Sequence, residues 1–95
     1  MAVVRWSSVA RQDLVALRDY HDQCSPDAAR VILKKLLGAI TNLEVFPRSG
    51  RAVPEIEDQA FRELLVQGYR VVYLVTGEME EAEVEILTIA HGSRT

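Results

Sequence analysis

The chain has 95 residues, 14 acidic against 11 basic side chains and a formal net charge of −3. That length supports one hydrophobic core, so a single domain is expected over residues 1–95. Its net acidity argues against generic nucleic-acid binding, which draws most of its affinity from Lys and Arg on phosphates. No apolar run approaches the roughly 20 residues of a membrane helix, and the opening MAVVRWSSVARQD is too polar for a signal peptide. A soluble, cytoplasmic protein is the expectation.

In chain order, Ala2 to Trp6 is short and valine-rich and reads as an opening strand. Ser7 or Ser8 can cap a helix, with Asp13 near the first turns suiting its dipole. Ala10, Leu14 and Leu17 then recur at helical spacing, Tyr20 is expected to pack beside them, and His21 falls near the helix end. Cys24 cannot form an internal disulfide, which agrees with a reducing compartment, and it reads as a small half-buried residue. Ser25-Pro26-Asp27 starts a second helix, because Ser25 can cap and proline fits the first helical position. Ala29, Leu33, Leu36, Ile40 and Leu43 mark its buried face, which Ile32 and Leu37 widen. The helix should run to about Val45, with Gly38 marking a close crossing of the two helices.

Phe46-Pro47 ends that helix, since the residue before proline is pushed out of helical dihedrals. Arg48 to Ala60 is a long irregular stretch, either a functional loop or a strap packed over the sheet. Phe61 to Val75 reads as two strands joined at Gln67-Gly68. Gly77 and the acidic run from Glu78 make the next turn, and Val84 to Ala90 makes the last strand. The order β-α-α-β-β-β describes an α+β fold, a helical hairpin packed on an antiparallel sheet with the first strand at an edge.

One Cys and two His make no metal-ligand pattern, the scattered glycines make no phosphate loop, and no cofactor is expected. Nine of the 11 basic residues are arginines, which suit planar recognition of carboxylates or phosphates. Alternation puts Tyr69, Val71 and Tyr73 on one side of their strand and Arg70 on the other, and puts His91 with Glu85, Leu87 and Ile89. Arg70 is within reach of Glu63 or Glu55, and such an ion pair would fix strand register. The competing reading is a nucleic-acid cleavage site, in which Arg70 stabilises phosphorane charge while His91 or Glu55 moves protons.

Several short stretches, in their order and spacing, carry a resemblance. They are Trp6-Ser7, Asp13-Leu14, Ser25-Pro26, Phe46-Pro47-Arg48-Ser49-Gly50-Arg51, Arg62-Glu63-Leu64, Tyr69-Arg70-Val71-Val72-Tyr73 and Ile89-Ala90-His91-Gly92-Ser93-Arg94. Over nearly its whole length the chain resembles the RelE/ParE toxins of bacterial type II toxin–antitoxin systems. The resemblance implies a helical hairpin against a curved antiparallel sheet. RelE-like members are ribosome-dependent mRNA endonucleases, and ParE-like members inhibit DNA gyrase. The Phe-Pro-x-Ser-Gly-Arg loop, the Arg-Glu-Leu strand and the His-Gly-x-Arg ending look more ParE-like, and the lysine-rich catalytic surface of RelE is missing.

The favoured expectation is therefore a growth-inhibiting toxin that acts on DNA gyrase by protein binding. It would have no catalytic residue, and its partner-binding candidates are Arg51, Arg62, Tyr69, Arg70, Tyr73, His91 and Arg94. The alternative is an mRNA endonuclease using Glu55, Arg70 and His91. Either branch implies a hetero-oligomer with a cognate, ParD-like antitoxin seated on the helical hairpin and sheet edge. Operator DNA would be reached only through that antitoxin.

Overall fold

Two serines start the two helices. In the computed structural model, which describes residues 1–91, strand β1 (Val3–Trp6) leads into helix α1 (Ser8–Cys24). Ser7 caps α1, its hydroxyl accepting from the Ala10 N–H at 3.0 Å. Helix α2 (Pro26–Thr41) follows at once, with Ser25 accepting from the Ala28 N–H at 3.3 Å and Asp27 in the first turn. The helix stops at Thr41, short of the expected Val45, and tightens into a 3-10 turn over Asn42–Glu44.

Ala10 and Leu17 of α1 and Ala29, Leu36 and Ile40 of α2 are buried. Most of them pack in one core with Val71, Tyr73, Val75, Val84, Ile86 and Ile89 of the sheet. Each fully buried large aliphatic side chain there contributes about 1.5–3 kcal/mol. Some expected packing is absent. Tyr20 is 63% exposed, Leu37 lies at the surface and Cys24 is exposed, because the buried stripe of each helix is narrower than its apolar composition suggested. Gly38 marks no close crossing, since a Cβ there would meet nothing within 4 Å. Gly38→Ala is accordingly expected to raise stability by about 0.5–1 kcal/mol, measured by urea unfolding.

The sheet has five strands in the order β1-β5-β4-β3-β2, where β2 is Arg51–Ala52, β3 Phe61–Val66, β4 Tyr69–Thr76 and β5 Glu83–His91. Strands β2 to β5 pair antiparallel. The β3–β4 hairpin turns at Gln67 and Gly68, both at positive φ (53° and 81°), the primed geometry that matches strand twist. At the edge, β1 runs parallel to β5, as its return through the helical hairpin allows. The two-residue β2 was not expected from sequence.

Strand β5 carries a bulge. Tyr73 pairs with Ile86 and Val72 with Thr88, leaving Leu87 without a cross-strand partner. Helix α1 holds this irregularity in place. The Ser7 hydroxyl donates to the Leu87 carbonyl at 2.9 Å, and Asp13 Oδ2 accepts from Thr88 Oγ1 at 2.6 Å and from the Ile89 N–H at 3.0 Å. Asp13 thus satisfies the bulge and does not sit in the first turn of α1. The bulge also reverses the alternation along β5. Val84 and Ile86 face the core before it and Ile89 after it. His91 shares its side with Ile89 but not with Glu85, correcting the grouping expected from simple alternation.

Candidate functional site

The proposed site residues divide between the two faces of the sheet. On the helix-free face Glu63 stands directly across from Arg51 of β2 and diagonally from Arg70 of β4. Its side chain is 1% exposed. Arg51 Nη2 reaches Glu63 Oε2 at 3.3 Å. Arg70 Nε lies 3.1 Å from the same oxygen, close enough for an ion pair although its N–H is not aligned on it.

The outer end of Arg70 is also taken. Its Nη1 and Nη2 donate to Glu55 Oε2 and Oε1 at 3.0 and 3.1 Å, the two-pronged arrangement that guanidinium and carboxylate planes favour. Both ion pairs anticipated for Arg70 therefore form at once. The Arg70 guanidinium holds the exposed Glu55 carboxyl below its usual range, so this contact persists at neutral pH and weakens as pH falls through that lowered value. Glu55 belongs to the segment between β2 and β3, and its bonds to Arg70 fasten that segment across the sheet. Val53, two residues earlier, is buried. The segment is a strap held to the sheet at Val53 and Glu55, with residues 54–59 exposed.

Arg62 and Tyr73, paired across β3 and β4, hold the start and end of the strap. Arg62 Nε donates to the Gln59 carbonyl at 2.9 Å and Nη1 to the Gly50 carbonyl at 3.2 Å. Tyr73 is fully buried, so in this structure it offers a partner no surface, and its hydroxyl accepts from the Gly50 N–H at 2.9 Å. Burial raises the phenol pKa of Tyr73, and likewise that of Tyr69, above the ordinary 10.0. The unfolded chain then loses these protons first. Stability is fully present below pH 10 and is expected to fall as pH rises towards the raised values, with a shallower fall in Tyr73→Phe. Urea midpoints measured at a series of alkaline pH values check this.

The helix side of the same sheet end holds an aromatic cluster. Tyr69 stands opposite His91 in the β4–β5 register, and their rings meet edge to face at 5.5 Å. From the end of α1, His21 Nε2 lies 2.8 Å from the Tyr69 hydroxyl, and Tyr20 stacks edge-on against His21 at 5.1 Å. His21 was not singled out for this role by sequence. It does continue the Ala10, Leu14, Leu17 spacing of the buried stripe by four residues, which is a readable signal. Arg70 and His91 thus project to opposite faces, and Glu55 lies with Arg70. Arg94 falls outside the described residues. Among the described residues, no group of three or more His, Cys, Asp or Glu side chains is arranged to hold a metal ion. No helix there is long and apolar enough to cross a membrane.

Residues 4–95 match the family model described as the ParE toxin of the type II toxin–antitoxin system parDE. The chain belongs to the ParE toxin family. A curated relative, Toxin RelE2 of Caulobacter vibrioides, is 34% identical over 94 residues, covering 99% of both chains. Among solved structures, a chain from the chromosomal ParDE system of P. aeruginosa superposes with a TM-score of 0.75 at 22% identity, covering 96% of each chain. The YoeB/ParE toxin from Agrobacterium tumefaciens gives 0.63 at 15% identity, covering 94% of this chain and 97% of that one. At such identities these two likenesses speak for the fold, two helices packed on a five-stranded sheet. In this ParE-family chain the Arg-Glu-Leu segment supplies the buried Glu63, and the Phe-Pro-Arg-Ser-Gly-Arg segment supplies Gly50 and Arg51 around it.

Proposed function

We propose that this chain is a single-domain toxin that arrests growth in the bacterial cytoplasm by binding DNA gyrase, without covalent chemistry of its own. A ParD-like antitoxin would hold it inactive in a hetero-oligomer. The observation that carries this reading is the state of Arg70. Its guanidinium is held by Glu55 and Glu63 on the face opposite His91. An arginine that must stabilise phosphorane charge needs a free, forward-facing end within reach of the proton-transferring group. Here Arg70, Glu55 and Glu63 form a register-fixing network, with Arg51 of β2 and Arg62 of β3 at the two ends of the strap it holds. The surface left for a target lies around the exposed Arg51 and His91.

The antitoxin's proposed seat is the outer side of the helical hairpin. Val9, Val15 and Tyr20 of α1 and Val31 of α2 are each about half exposed or more there, the kind of apolar anchors that a partner helix or strand covers. β1 and β2 are the edge strands of the sheet, the places where an added strand would pair.

A second reading, mRNA cleavage, is kept because one relative bears the name Toxin RelE2. The Tyr69, His21 and His91 cluster also gathers proton-carrying groups at one sheet end. Expression without antitoxin separates the two. The gyrase reading expects gyrase-linked DNA breaks with intact transcripts. Transcripts cut at defined codon positions, with cutting lost in His91→Ala, would replace it with the nuclease reading.

A further inference from the structure

At the sheet end away from His91 lies a groove that the toxin reading does not use. One wall is the chain leaving α2, from Glu44 to Ser49, and the other is the β4–β5 turn from Glu78 to Ala82. Met1 and Ala2, just ahead of β1, line it between the walls, and the chain there is bonded to both, Ala2 N–H to the Glu44 carbonyl at 2.7 Å and Val3 N–H to the Ala82 carbonyl at 3.1 Å. Arg48 Nη2 braces the walls by donating to the Gly77 carbonyl at 2.9 Å. The groove is open to solvent, with a volume of about 1130 Å³.

The groove is apolar where burial would be expected and is left uncovered. Val45, Phe46 and Met79 line it and are 55%, 59% and 91% exposed. Met79 has φ of 56°, a left-handed conformation that a residue with a side chain seldom adopts. The same turn holds a second left-handed residue. Gly77 is at φ 78°, and a Cβ there would lie 2.7 Å from the Glu81 carbonyl oxygen. A bulky apolar side chain is thus held in water at the mouth of a braced groove. Its rim is acidic: Glu78, Glu80 and Glu81 are exposed on one wall, and Glu44 stands on the other. Two cations stand beside these carboxylates, the Met1 α-ammonium and Arg48, and Arg48 donates to the Gly77 carbonyl.

We infer that this groove docks a segment of a partner protein carrying a large apolar side chain flanked by lysines or arginines. The apolar lining would take the anchor, and the rim carboxylates would favour cationic flanks and repel acidic ones. This does not depend on whether the toxin acts on gyrase or on mRNA.

The full-length chain, labelled at the methionine methyl carbon, reports the site directly through Met79. The probe is a synthetic peptide with a central Trp-Leu pair flanked by lysines. A counterpart carries glutamates in place of the lysines. The lysine peptide should shift the Met79 methyl signal saturably while the glutamate peptide leaves it unmoved. Phe46→Ser should abolish the shift. Glu78→Lys with Glu80→Lys, both at exposed positions, should weaken the lysine peptide about tenfold. Equal response to both peptides, no response to either, or a shift of Met79 with protein concentration alone, which would mark pairing of two copies, overturns the proposal. Unchanged thermal unfolding of the double-lysine variant guards against misfolding as the cause.

Discussion

Glu63→Ala is expected to lower the unfolding free energy by about 2–4 kcal/mol, the effect of removing one partner from a buried ion pair. The carboxylate is almost entirely buried, between Arg51 and Arg70. Removing it leaves the partly buried Arg70 with Glu55 alone, opens a cavity under the strap and removes the cross-strand partner of Arg51. In a domain of this size the melting temperature should fall by on the order of 10 °C or more. Hydrogen exchange should quicken across residues 51–60, because the strap is fastened to the sheet through the same arginines. Glu55→Ala should change the melting temperature far less, since both ends of that pair reach solvent and exposed pairs contribute little. If Glu63→Ala melted within a degree or two of the wild type, the network would be a surface decoration and not the anchor of the strap.

Gly50→Ala should be nearly as damaging, about 3 kcal/mol, for a steric reason. A Cβ at Gly50 would sit 2.5 Å from the Tyr73 hydroxyl oxygen, 2.6 Å from the Glu63 carbonyl oxygen and 3.0 Å from Tyr73 Cε1. Backbone and a fully buried ring cannot both move aside. The Gly50 N–H would also be pulled off the Tyr73 hydroxyl. Adding Tyr73→Phe to Gly50→Ala removes one of these clashes but not the carbonyl one. The double variant should therefore recover only part of the loss, and urea unfolding of both single variants and the pair measures the coupling. Full recovery would mean that the hydroxyl alone sets the requirement for glycine.

Local chemistry was readable in the sequence, and so was part of the candidate site. Ser7, Ser25 and Pro26 marked the helix starts because capping is settled within three or four residues, and Gln67-Gly68 marked its turn for the same reason. The Arg70–Glu63 pair was within reach because strand alternation needs only neighbouring residues. What escaped depends on residues far apart in the chain. The bulge at Leu87 is held by Ser7 and Asp13, some 75 to 80 residues earlier. It turns His91 to the side opposite Glu85, so alternation read from sequence alone mis-assigned that face. The burial of Glu63 was not legible because Arg51, which reaches it from β2, lies twelve residues away. Tyr73 was named a partner-binding candidate, and its burial was hidden because the N–H that satisfies its hydroxyl belongs to Gly50. The groove beside Met79 exists only where three separated segments meet.

The family assignment adds what stability arguments cannot, an expectation of what the molecule does to a cell. The fold is shared by chains from a ParDE system and named YoeB/ParE, and a sequence relative is named RelE2, so fold alone does not choose between binding and cleavage. The proposed preference for binding rests on Arg70 pairing with Glu55 and Glu63 while His91 and Tyr69 lie on the other face of the sheet.

Purified DNA gyrase incubated with the purified chain and plasmid, followed by denaturation, tests this most directly. Binding of the kind proposed predicts plasmid cut and covalently attached to gyrase, at a level that Arg70→Lys leaves largely intact because that residue's role is structural. Unaltered gyrase activity, together with site-specific cutting of mRNA on ribosomes by the same preparation, would contradict it.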